Sequence, residues 1–124
     1  MRPIKFRGKT LGNNQWVYGS LIIPSDHQSE CIIENEGSWY VEPDTVGQFT
    51  GLHDIKGKEI YEGDVIGSTG VRHQIVYDNY RAAFIAKGIG NRAYWLIGKD
   101  WVTTYEKKVI GNMYDSPELL SESK

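Results

Sequence analysis

The chain has 124 residues, 40% hydrophobic and 24% charged, with a formal net charge of −2 and a mean hydropathy of −0.47. That length fits a single domain, residues 1–124, able to bury roughly two-thirds of the surface its unfolded form exposes. Gly 14, aromatics at 12% and Cys 1 exclude a collagen repeat, a disulfide scaffold and a disordered chain.

In chain order, Ile4 and Phe6 alternate with Lys5 and Arg7, which predicts a short half-buried strand. Gly12-Asn13-Asn14 is turn chemistry, and Trp16 to Ile23 is the return strand, stopped at Pro24. Cys31-Ile32-Ile33 and Trp39-Tyr40-Val41 flank Glu34 to Ser38 and predict a hairpin with a long loop, ended by Pro43. Val46 to Thr50 is a short glycine-interrupted strand, followed by a turn over His53 to Lys58. Ile60-Tyr61 and Val65-Ile66 bracket a Glu62-Gly63-Asp64 turn. Val71 to Tyr77, Arg81 to Ala86, Ala93 to Ile97 and Lys108 to Met113 complete the strands. Only Ser116 to Leu120 reads as helical: Ser at the N-cap, Pro at the first helical position, then an acid. Leu119 and Leu120 are expected to dock on the sheet, and residues 121–124 to form a polar tail. The expected fold is all-β, a small barrel-like or sandwich domain of about eight or nine short strands with a short C-terminal helical turn.

The near-neutral total hides segregation. Residues 1–25, 26–64, 65–110 and 111–124 carry +4, −8, +4 and −2. The blocks either pair across adjacent strands or form separate faces. No window approaches the roughly 18 apolar residues of a membrane helix, and no apolar run follows the first basic residues, so neither a membrane span nor a secretory signal is expected. Cys31 alone cannot make an internal disulfide; it reads as a buried, inert thiol in a reducing cytoplasm.

Four motifs carry possible chemistry. Gly88 to Ala93 matches the spacing G-x-G-x-x-A, but a strand-like Tyr94 to Ile97 follows where a dinucleotide site needs a helix, so a hairpin loop is expected. Asp54, Glu59, Glu62 and Asp64 would suit a hard cation only in another spacing, and read as turn caps and surface charge; a metal-dependent hydrolase built on them is the third-ranked function. His27, His53 and His73 lack the i, i+4 spacing of a zinc helix. A basic and aromatic set remains, with Arg2, Lys5, Arg7 and Trp16 in the first hairpin and Arg72, Arg81, Arg92, Trp95 and Trp101 in the second half. Small β-domains stack single-stranded bases on such rings along a positive groove. The competing reading is that the aromatics fill the core, and the acidic block opposes a phosphate backbone.

Thr45 to Ile66, TVGQFTGLHDIKGKEIYEGDVI, resembles the signature of the YopX family, small proteins encoded by phages and prophages of bacteria. The opening IKFRG (Ile4–Gly8) with WVYG (Trp16–Gly19), and the closing VIGNMYDSPELL (Val109–Leu120), are similar to the family's first and last segments. The resemblance covers essentially the whole chain, except that residues 67–107 carry no signature. It implies a phage or prophage origin, action inside the bacterial cell, and association into homo-oligomers; it implies no reaction. The expectation is therefore a non-enzymatic accessory protein, without cofactor or metal, that binds a host or phage protein or itself through strand edges and exposed aromatics. The alternative is a single-stranded nucleic-acid-binding module.

Overall fold

In the computed structural model the described residues are 3–25, 29–68, 70–90 and 93–121. They form an all-β protein of eleven strands, with one α-helix of six residues and two short 3₁₀ turns. Main-chain contacts divide the chain into two compact units, residues 1–49 and 50–124.

The first unit holds β1 (Phe6–Lys9), β2 (Trp16–Ile22), β3 (Cys31–Glu34) and β4 (Gly37–Tyr40), all antiparallel in the order β4-β3-β2-β1. The start of β5 (Gly47–His53) lies against β1, with Phe6 opposite Gln48 and Arg7 opposite Gly47. Val17, Ile32 and Val41 are its buried core, with Phe6, Leu21 and Val46 packed around them. The β3–β4 hairpin is tighter than the sequence suggests. Glu34 pairs directly with Gly37, leaving a two-residue loop, Asn35-Glu36, that Asn35 permits by taking φ 58°.

In the second unit the end of β5 borders β6 (Glu59–Tyr61), where the Thr50 hydroxyl donates to the Ile60 carbonyl at 2.8 Å. A five-stranded antiparallel sheet follows: β7 (Asp64–Ser68), β8 (Val71–Asp78), β9 (Ala83–Gly88), β10 (Tyr94–Leu96) and β11 (Lys108–Asn112), in the order β10-β9-β8-β7-β11. The chain from β9 returns directly as β10, so Gly88 to Ala93 joins two strands and not a strand to a helix. Ile60, Ile66, Ile75, Ala86, Trp101 and Val102 form the core. Each fully buried isoleucine contributes roughly 1.5–3 kcal/mol relative to an exposed one.

One helical expectation changes and the other holds. Lys99–Thr104 is an α-helix, α1, where the sequence reading sees none, and it buries Trp101 and Val102. The C-terminal turn is a 3₁₀ helix, Pro117–Leu120, whose Ser116 side chain makes no capping hydrogen bond. Leu119 does dock, close enough to Gly111 that a β-carbon there would meet its methyl at 2.7 Å. Ser121, expected to open a tail, is held through its carbonyl by Arg72. Residues 122–124 lie outside the described residues. Cys31 is half-buried, its thiol donating to the Ser29 carbonyl at 3.3 Å.

Candidate ligand-binding site

The second unit contains a cavity of about 680 Å³. Three places in the chain build it. The β7–β8 hairpin contributes Ser68, Val71 and His73; β10 contributes Trp95, and the residue just before that strand is Ala93; and α1 with the segment after it contributes Trp101, Tyr105, Lys107 and Lys108. Trp101 and Tyr105 are four residues apart and so share one side of the helical turn.

Lys107 sits on the cavity floor, only 5% exposed. Its main chain is fixed at both ends: its N–H donates to the Val102 carbonyl at 2.9 Å, and its carbonyl accepts from Ile55 at 2.9 Å. Glu106 before it takes φ 50°, a conformation that non-glycine residues adopt at a cost of about 1–2 kcal/mol. The Lys107 ammonium donates to the Ser68 hydroxyl at 3.0 Å and lies 5.0 Å from the Trp101 ring and 5.7 Å from that of Tyr105. Burial pushes it below the usual lysine range.

His73, 3% exposed, meets Trp101 edge to face at 5.8 Å, and its Nδ1 has no hydrogen-bond partner among the described residues. Burial first, and the charge of Lys107 second, push the imidazole down from 6.5 to about 4. It is therefore neutral near pH 7, with one N–H donor and one acceptor nitrogen. Above this polar floor stand two exposed rings, Trp95 and Tyr105, with centroids 6.1 Å apart.

The signature segment braces this floor. The Asp54 carboxylate accepts main-chain N–H bonds from Lys56 and Lys58 on one oxygen and from Val109 on the other, each at 2.8 Å. The turn over residues 54–58 is thereby tied to the stretch that carries Lys107. At the next turn Asp64 accepts from the Tyr61 N–H at 2.7 Å. Gly63 takes φ 97° while its N–H and carbonyl are bonded to Ile75 and Met113. Only glycine adopts that backbone without strain. Asp54 and Asp64 thus serve as turn caps, and no group of acids, histidines or cysteine among the described residues could hold a metal ion. The family model described as YopX protein matches residues 5–121. The chain belongs to the YopX family. No curated protein matches it.

In this YopX chain the basic and aromatic residues singled out from the sequence divide between the two units. In the first, Arg7 is buried with its guanidinium 4.5 Å from the Trp16 ring, and Lys5 lies 5.6 Å from the Phe49 ring. In the second, Arg72 donates to the Leu119 and Ser121 carbonyls at 2.6 and 2.8 Å. Arg81 pairs with Asp78 and donates to the Tyr94 hydroxyl while stacking on that ring at 4.3 Å. Base stacking needs an open ring, and of the three tryptophans in that set Trp95 is exposed, Trp16 half-buried and Trp101 buried. Arg2 and Arg92 lie outside the described residues, as does His27. The sequence reading missed Ser68, Tyr105 and Lys107. Recognising α1 would have found the last two, because the Trp101–Tyr105 spacing aligns two rings just before a lysine.

Proposed function

We propose that this YopX-family chain is a phage- or prophage-encoded accessory protein that acts by binding and not by catalysis, with the second unit's cavity as its seat. One observation carries the reading: Trp95 and Tyr105 stand exposed as a ring pair over a buried polar floor. Exposed rings above a few convergent polar groups suit recognition of a flat or ring-bearing group. The test is an NMR titration with small aromatic probes. The indole N–H signals of Trp95 and Trp101, assigned through Trp→Phe variants, are expected to move together and saturate. If no ring-bearing probe moves either signal, the reading fails.

A second reading, self-association, is favoured by β4. It ends its sheet, and Trp39 and Tyr40 on it are exposed. The Tyr40 carbonyl is already engaged by the Leu11 N–H at 3.1 Å, so contact with a second copy would run through the exposed rings. Light scattering after size exclusion is expected to show a dimer that Trp39→Ser weakens. A monomer at every accessible concentration would remove this reading.

A further inference from the structure

We propose that the cavity is an anion site: the ligand sets a carboxylate or phosphate group on Lys107 and Ser68 and lays an aromatic ring against Trp95 and Tyr105. The inference rests on the reading that this cavity binds a ring-bearing group, and it adds the ligand's charge.

Lys107 carries the argument. An ammonium has three N–H donors, and the Ser68 hydroxyl, at 3.0 Å, takes one of them. The rings of Trp101 and Tyr105 also face it, at 5.0 and 5.7 Å. No carboxylate of the described residues pairs with it. Glu106 also lines the cavity, but it is exposed, as is Lys108. A buried cation without a counter-charge is costly, and an incoming anion relieves that cost.

His73 is the second, independent observation. It is nine-tenths buried, lines the same cavity, and leaves Nδ1 without a partner among the described residues. Buried polar groups without a protein partner are uncommon in folded proteins, and a water, an ion or a ligand group completes their bonding. The volume of about 680 Å³ is within the range of organic-ligand pockets, roughly 300–1,000 Å³.

The experiment is a tryptophan-fluorescence titration with benzoate, phenyl phosphate, inorganic phosphate and benzyl alcohol. Benzoate and phenyl phosphate are expected to bind, inorganic phosphate to compete with both, and benzyl alcohol to bind much more weakly. Lys107→Met should weaken the aryl anions by about ten- to hundredfold, the range for a hydrogen bond to a charged group. Met keeps the apolar stem and removes a buried charge that has no counter-charge, so the variant is expected to fold. Ser68→Ala, which leaves the ammonium in place, should weaken the same ligands several-fold. Equal affinity for benzyl alcohol and benzoate, or unchanged affinity in both variants, overturns the anion proposal while the cavity stands as a ring-binding site. No binding of any aromatic probe overturns both.

Discussion

Asp54 shows how one side chain can hold together a turn and a site. Burial pushes its carboxyl up, but main-chain donors at Val109, Lys58 and Lys56, with the charge of Lys58, outweigh that and hold it below its usual value. Asparagine has nearly the same shape but only one acceptor oxygen and no charge, so it cannot serve donors on both sides. Asp54→Asn is expected to destabilise the protein by about 1.5–3 kcal/mol, the range for hydrogen bonds to a charged group. A lower urea midpoint with an unchanged slope would show it. The same variant frees the turn from Val109, two residues beyond Lys107. It should therefore also weaken benzoate binding although Asp54 touches no ligand. An unchanged midpoint would mean that water replaces the carboxylate at these amides.

Among the elements, the β2–β3 pair has the least room for change. Ser20 lies opposite Ile33, and a β-carbon on Gly19 would stand 1.9 Å from the Ile33 carbonyl oxygen. The obstacle is backbone, which cannot swing aside as a side chain does. Gly19→Ala is expected to cost more than about 2 kcal/mol and to speed amide exchange along Cys31–Glu34, while Gly12→Ala, in open space, acts only through its φ of 85°. Equal protection in the glycine and alanine proteins would show that the strands can separate without loss. Strands of this kind were legible because aromatic and β-branched runs between glycine turns leave few alternatives. The helix α1 was not legible. Its six residues, Lys99–Thr104, begin after Gly98 with no side-chain cap, and its Val, Thr and Trp are common in strands. Missing α1 hid the cavity, since that helix and its exit supply Trp101, Tyr105 and Lys107. Arg7 was misleading for a different reason: alternation places a charge outward, but stacking on Trp16 lets its guanidinium be buried.

At the scale of the whole molecule, the buried His73 makes stability depend on pH in a window that the carboxylates leave free. In the folded protein the imidazole is pushed down from 6.5 to about 4. The unfolded chain therefore takes up a proton between these values that the folded protein refuses. The stabilisation is complete above pH 6.5, falls as pH drops towards 4, and changes no further from this group below that. At 1.36 kcal/mol per unit, the loss amounts to roughly 2–3 kcal/mol once partial hydration of the cavity is allowed for. Asp54 acts in the same direction but lower, because its carboxyl starts from 3.8 and is held below that. Urea midpoints measured from pH 7.5 to 4.5 should therefore decline in the natural protein. They should stay nearly level in His73→Phe, which keeps a buried ring beside Trp101 and removes the titrating nitrogen. Direct NMR titration should place the imidazole transition near pH 4. A decline that persists in the variant would assign the pH dependence to other groups, and a transition near 6.5 would show that water reaches the His73 ring freely.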